Sequence, residues 1–224
     1  MLHHEISGNG KKPLVLLHGF MENTTIWDEM EAHLSKDFIL IKIDLPGHGK
    51  SKVYQEIHTV ELMAEKVKEV IDALKLEKIN LLGHSLGGYV SLAFAEKFPE
   101  ILESMTLFFS TTVADDEEKK AIRRRSIAVI DENFETFVKT SIPNLFSNNE
   151  KDILEGKIEL AKNIAKSTNK EGVKAAQLGM AERPDRTEIL ENLDAKILII
   201  AGKYDNAVKT ENLLKIIPEK TNIK

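Results

Sequence analysis

The sequence predicts an α/β fold, a mostly parallel sheet flanked by helices, with a helical segment inserted between two sheet strands. Three observations carry that reading. Short unbroken aliphatic runs alternate with longer stretches of helical period. The runs are rich in Leu, Ile and Val with no polar alternation, as suits strands buried on both faces. The alternation then breaks over residues 111–186, where helical period continues without a convincing strand.

The elements follow in order. A short strand is expected over 2–7, turning at Gly8-Asn9-Gly10, and a buried strand at Leu14-Val15-Leu16-Leu17, entered from Pro13 and left through His18-Gly19. The next strand covers 38–43 and ends at Asp44. A helix over 59–76 places Val60, Met63, Ala64, Val67, Val70, Ile71 and Leu74 on one stripe. A strand over 78–82 ends at Gly83, and a helix over 86–98 follows it closely and stops before Pro99. Strands over 104–109 and 196–201 complete the set. Right-handed crossovers put the ends of the parallel strands along one edge, where a crevice forms.

Within the insertion, Asp115-Asp116-Glu117-Glu118-Lys119-Lys120 leads to Arg123-Arg124-Arg125. An anion or partner site is one reading. A solvated helix is preferred, with acids at its N-terminus and Asp115–Lys119 and Asp116–Lys120 pairs four apart. A second stripe comprises Leu154, Ile158, Ala161 and Ala165. The chain therefore divides into a first core part (1–111), a helical cap (112–187) and a second core part (188–224).

Composition narrows the function classes. The 224 residues fit one domain with an insertion, given a prior of about 150 residues per domain. A net charge of −5 argues against a general nucleic-acid binder and against a basic membrane-surface protein. No apolar run approaches the ~20 residues of a membrane helix, and no signal peptide is visible at the N-terminus. With no cysteine, disulfides, thiolate nucleophiles and cysteine-zinc sites are excluded, and a cytoplasmic location is the simplest expectation.

The chemistry-bearing motif is Gly83-His84-Ser85-Leu86-Gly87, G-x-S-x-G, followed by Gly88. Its context is an apolar strand before and an amphipathic helix after, which is what a nucleophile elbow requires. A strand that becomes a helix within a few residues forces Ser85 into a strained conformation with φ > 0, and glycines at 83 and 87 avoid the neighbouring strand and helix. The bland alternative is a glycine-rich junction with an incidental serine. An oxyanion needs two backbone N–H donors. The amide of Leu86 is one candidate, and the amide of Phe20, in the His18-Gly19-Phe20 loop, is the other. His18 itself is read as a buried imidazole bonded to backbone.

In this order, His18-Gly19-Phe20, Asp44-Leu45-Pro46-Gly47-His48-Gly49-Lys50-Ser51, Gly83 to Gly88 and Gly202-Lys203-Tyr204-Asp205, the sequence resembles the α/β-hydrolase-fold proteins of the cofactor-free serine hydrolase (esterase) type. The likeness covers nearly the whole chain. It implies an eight-stranded, mostly parallel sheet and a helical cap inserted before the penultimate strand. It also implies an acid after the strand that follows the cap, where Asp205 stands. Asp205 has a structural alternative, a turn at Asp205-Asn206. The resemblance further implies a histidine two to three dozen residues past the acid. The seven histidines are His3, His4, His18, His33, His48, His58 and His84, and none follows Asp205. The final strand, its histidine loop and the closing helix are expected to be absent, leaving 196–201 as an unprotected edge and a route to self-association. His84 is expected to point away from the serine hydroxyl, and nothing in the sequence positions His48.

Two rival motifs fail. Gly49-Lys50-Ser51 ends a segment with Asp44 where a phosphate loop needs glycine, and Ser85 occupies the second glycine position of a dinucleotide fingerprint. No residues have metal-ligand spacing, so no metal or cofactor is expected. The expectation is a serine hydrolase of a small carboxylic ester, thioester or lactone, with Ser85 as nucleophile, Phe20 and Leu86 as the oxyanion hole and Asp205 as the acid. Phe134, Phe137, Phe146 and Met180 are candidates for an acyl pocket, with core packing as the alternative. The competing expectation is a catalytically impaired binding protein or a truncated hydrolase.

Overall fold

The aliphatic runs become strands. In chain order they are β1 (His4–Ser7), β2 (Lys12–Leu17), β3 (Phe38–Ile43), β4 (Ile79–His84), β5 (Leu102–Phe108) and β6 (Lys196–Ile200). The computed structural model, which describes residues 1–205 and 207–224, joins them in the order β1-β3-β2-β4-β5-β6. Only β1 is antiparallel to its neighbour. Leu17 of β2 lies beside Ile43 of β3 and Gly83 of β4, and Gly83 lies beside Leu107 of β5. With β6 parallel to β5, this register brings the carboxyl ends of five parallel strands to one edge, the place where open α/β sheets bind ligands.

The described residues hold six strands, not the eight the resemblance implies. The outer edge of β6 is also not bare, which corrects the expectation of an unprotected strand. Residues 222–224 run parallel to it: the amides of Ile197 and Ile199 donate to the carbonyls of Asn222 and Lys224 (both 2.8 Å), and the Lys224 amide donates to Ile197 (3.0 Å). Asn222 is tied to the segment leading into β6: its side-chain amide donates to the carbonyls of Leu193 and Ala195. Leu198 and Ile200 remain exposed on the face of β6.

Helices cover both faces of the sheet. A 3-10 turn (Thr24–Trp27), capped by Asn23, leads into α1 (Asp28–Leu34), a helix the periodicity did not predict. Trp27, Met30 and Leu34 pack there against Leu14, Leu16, Leu40 and Leu82. On the other face lie α2 (Val60–Ala73) and α3 (Leu86–Lys97). The Thr59 hydroxyl caps α2 by accepting the Leu62 amide, and every buried member of the predicted stripe from Val60 to Ile71 faces the core. Residues 86–95 of α3 are all buried, so this helix runs through the centre of the molecule.

The insertion folds as α4 (Glu117–Ser141), α5 (Glu155–Ser167) and α6 (Lys170–Glu182). It has its own apolar cluster, built on Met21, Ile130, Phe137, Val138, Ile142, Ala165 and Val173, with Phe20, Phe134 and Phe146 packed against it. Met180 belongs instead to the main core. The helix α6 seats directly on the core backbone. A Cβ at Gly172 would fall on the Gly47 carbonyl, and one at Gly179 on the His58 carbonyl, so only glycine permits this approach. The chain returns through α7 (Thr187–Asn192), β6 and α8 (Thr210–Leu214).

The charge run opens α4 as the solvated helix expected, with Glu117 and Glu118 exposed in its first turn, but the two predicted pairs are replaced by other contacts. Asp116 caps the helix through the Lys119 amide, which ends its role as a partner of Lys120. Asp115 is buried, accepting from Arg123 Nε (2.5 Å) and Arg183 (2.9 Å). Arg183 also donates to the carbonyls of Met180 and Val113, and its guanidinium lies 4.0 Å from the Tyr89 ring centre on α3. The two chain crossings between core and insertion meet nearby, where the Arg186 amide donates to the Thr112 carbonyl.

Candidate active site

Between β4 and α3 the chain has one residue, Ser85, with φ 48° and ψ −109°. The three glycines explain why it can turn there. A Cβ at Gly83 would fall on the Gly87 carbonyl, one at Gly87 on the Leu17 carbonyl, and one at Gly88 on the Ser110 hydroxyl. The Ser85 backbone is pinned on both sides: its amide donates to Phe108 (3.0 Å), and its carbonyl accepts from the Gly88 amide (2.9 Å) and the Ser110 hydroxyl (2.8 Å). Its side chain caps nothing in α3 and is half-buried at the sheet edge. The positive end of α3 lies behind it.

The loop after β2 reaches the same edge. His18 is fully buried, with Nδ1 2.7 Å from the Gly19 carbonyl and Nε2 accepting the Leu45 amide at 2.9 Å. Burial pushes its pKa down to about 4, so the ring is neutral and structural. Phe20 packs against both the main core and the insertion's cluster. The Phe20 and Leu86 amides have no acceptor among the described residues. For Leu86 this follows from its place in the first turn of a helix.

The loop after β3 is organised by Asp44. Its carboxylate accepts the amides of Thr24 and Lys50 (both 2.9 Å), and its carbonyl accepts the Ser51 hydroxyl. A buried carboxylate fills the space a phosphate would need. In the same loop His48 is buried, with Nδ1 3.0 Å from the Pro46 carbonyl and Nε2 without a partner among the described residues. Its ring lies 5.2 Å from His18 and 6.2 Å from Phe20, centre to centre. Burial lowers its pKa to about 3.

Sequence reasoning missed the partner of His84. The imidazole turns to Glu22, with Nδ1 2.9 Å from Oε2, and the same oxygen accepts the Gly19 amide at 2.5 Å. Burial alone would raise the Glu22 pKa, but the His84 charge and these hydrogen bonds hold it below the usual carboxylate range. Burial would lower that of His84, but Glu22, with a smaller contribution from Asp205, holds it above 6.5. The rings of Phe108 and Phe109 flank His84 at 5.6 and 6.4 Å.

Asp205 follows β6 at the same edge. Its amide donates to the Gly202 carbonyl (3.1 Å), and its Oδ1 accepts the amides of Ala207 (2.7 Å) and Val208 (2.9 Å). The side chain thus shapes a turn while its charge reaches His84. Asn206, the other half of the predicted turn, lies outside the described residues. Among the described residues no group of three or more His, Asp or Glu is arranged to hold a metal ion, and no helix is long and apolar enough to cross a membrane.

Comparison with known proteins places this arrangement. An esterase from Thermogutta terrifontis, solved with malate bound, superposes with a TM-score of 0.93 at 32% identity, over 100% of this chain and 82% of that one. An enol-lactonase from Burkholderia xenovorans LB400 shares the fold, with a TM-score of 0.88 at 22% identity. A Bacillus subtilis protein named as a putative 2-succinyl-6-hydroxy-2,4-cyclohexadiene-1-carboxylate synthase is 29% identical over 212 residues, covering 88% of this chain and 75% of its own. An uncharacterized protein of Mycobacterium tuberculosis is 33% identical over 111 residues, and the matched region is 32% of its length. The alpha/beta hydrolase fold family matches residues 12–222, with Ser85 at the turn between β4 and α3, and the chain belongs to that family.

Proposed function

We propose that the chain is a serine hydrolase that cleaves a small carboxylic ester, thioester or lactone through an acyl-enzyme on Ser85. The observation that carries this is the conformation of Ser85, φ 48° on a one-residue turn at the edge where five parallel strands end. In this reading Ser85 Oγ attacks the carbonyl carbon. The amides of Phe20 and Leu86 donate to the oxygen as it gains charge. The tetrahedral intermediate then expels the leaving group, and water resolves the acyl-enzyme. Asp205 is the acid that would orient a general-base histidine, which would take the Ser85 proton and pass it to the leaving group; the seven histidines of this sequence all precede Asp205. The 32% identity with an esterase over the whole chain supports ester chemistry. In this reading the insertion shapes the acyl pocket, which the packing of Phe134 and Phe146 with Phe20 supports.

A second reading, a catalytically impaired binding protein, is favoured by one observation. The imidazole next to Ser85 is engaged with Glu22. Loss of a triad member costs roughly 10⁴–10⁶ in turnover. Labelling with a fluorophosphonate, followed by peptide mass analysis, separates the readings. A hydrolase is modified at Ser85, and Ser85→Ala abolishes the label. If Ser85 stays unmodified at reagent levels that label a control esterase, the hydrolase reading is wrong.

A further inference from the structure

We propose that Glu22 is the positioning residue of this site: its carboxylate ties the loop carrying the Phe20 amide to the end of β4, two residues before the Leu86 amide. The inference rests on the serine-hydrolase reading. The tie is a single oxygen. Oε2 accepts the Gly19 amide at 2.5 Å and His84 Nδ1 at 2.9 Å. Gly19 immediately precedes Phe20, and His84 immediately precedes Ser85. The last register pair between β2 and β4 is Leu17 beside Gly83. Beyond it no backbone hydrogen bond among the described residues joins the two segments. Glu22 therefore sets the spacing of two amides that must converge on one oxygen.

Gly19 supports the same conclusion. A Cβ there would stand 2.7 Å from Glu22 Oε2 and 2.9 Å from His84 Nδ1, so the loop is glycine where the tie passes closest. Electrostatics explains why the tie is an ion pair and not a lone acid. A single carboxylate beside a developing oxyanion repels it, and the His84 imidazolium cancels that charge.

The charged and titratable groups facing the pair are His18 from the loop after β2, His48 from the loop after β3, and Asp205 after β6. Phe108 and Phe109 supply only rings. Because its partners hold the Glu22 pKa below its ordinary value, the carboxylate stays ionised further into acid than a free glutamate. Acid that protonates Glu22 removes the acceptor shared by both donors. Above 6.5, once His84 loses its charge, a neutral ring with a proton on Nδ1 still donates, so the tie weakens without opening.

The test compares the rate of Ser85 labelling by a fluorophosphonate in the full chain with that in Glu22→Ala and Glu22→Gln, alongside an NMR titration of the His84 ring. Glu22→Ala is expected to slow labelling by about tenfold to a hundredfold, the scale of a small misplacement of catalytic groups. Glu22→Gln keeps an acceptor for the Gly19 amide and recovers most of the rate. In the unsubstituted chain His84 is expected to titrate above 6.5, and in both variants the titration is expected to move down. A Glu22→Ala chain that labels at the original rate, or a His84 that titrates at or below 6.5 beside an intact Glu22, overturns the proposal. If Glu22→Ala fails to fold, Glu22→Gln and the titration decide it alone. Absence of labelling in the unsubstituted chain overturns the serine-hydrolase reading and this inference together. Normal labelling with an indifferent Glu22 overturns only this inference.

Discussion

Ser85 occupies a backbone conformation that costs a residue with a Cβ roughly 1–3 kcal/mol. Its hydroxyl caps nothing in α3 that would offset the cost, and the surrounding glycines and backbone hydrogen bonds enforce it. Two substitutions should therefore move stability in opposite directions. Ser85→Gly removes the strain but adds about 0.5–1 kcal/mol of unfolded-state entropy, so it should leave stability level or raise it by about 1 kcal/mol while eliminating fluorophosphonate labelling. Gly87→Ala drives a methyl into the Leu17 carbonyl and should cost at least about 1–3 kcal/mol. Urea unfolding of the two variants measures both, and a Ser85→Gly chain as unstable as Gly87→Ala would remove strain from the account. Ser85 was legible in the sequence because five consecutive residues and their flanks specify the turn. Asp205 was legible only through family resemblance, since a lone Asp after a strand is an ordinary turn residue, and it does shape a turn. Glu22 was not legible: its partner His84 lies 62 positions away, and only the β2–β4 register brings them together.

Among the elements, strands buried on both faces announce themselves, because burial leaves no room for polar residues; the run 38–43 coincides with β3. The helix α1 escaped for the converse reason. It has seven residues, none fully buried, and it is held by partly buried Met30 and Leu34 and by Trp27, which precedes it. Asp115 was misread because helical spacing puts Lys119 within its reach, whereas its partners are Arg123 on the far side of two turns and Arg183 from the end of α6. That network makes a prediction about α4 and α6. Asp115→Ala leaves the Arg183 guanidinium, whose side chain is 4% exposed, without its carboxylate. Breaking a buried pair in this way costs about 3–5 kcal/mol. The loss should be local, with faster amide hydrogen exchange in α4 and α6 and protection unchanged in β2 to β5. Adding Arg183→Met should restore much of the protection, because the uncompensated charge goes with it. Unaltered exchange in α4 and α6 after Asp115→Ala would mean that the glycine contacts of α6 with Gly47 and His58 hold the insertion without help.

For the molecule as a whole, the buried histidines determine how folding responds to acid. His18 and His48 take up protons only near 4 and 3 in the folded chain, and burial also lowers His58. In the unfolded chain all three protonate near 6.5. Below 6.5 the unfolded state therefore binds more protons, and stability must fall as the pH falls. For His18 alone, the gap from 6.5 to about 4 corresponds to about 3 kcal/mol. His84 acts in the opposite direction at higher pH. Its folded pKa lies above 6.5, so its contribution is complete below 6.5 and is lost as the pH rises through the folded value. Glu22, Glu61 and Asp115, all held low by burial-opposing partners, add their losses only below the carboxylate values of the unfolded chain. Together these terms place maximum stability close to neutrality and put a steep acid loss above the range where carboxylates titrate. Urea unfolding from pH 8 to 4.5 should show that shape. His48→Asn should flatten the acid side at modest cost, because Nε2 of His48 has no partner to lose among the described residues. Stability that stays level between 6.5 and 4.5 would show that these rings reach solvent before the chain unfolds, and the neutral imidazoles beneath the Phe20 loop would then not be part of what holds it in place.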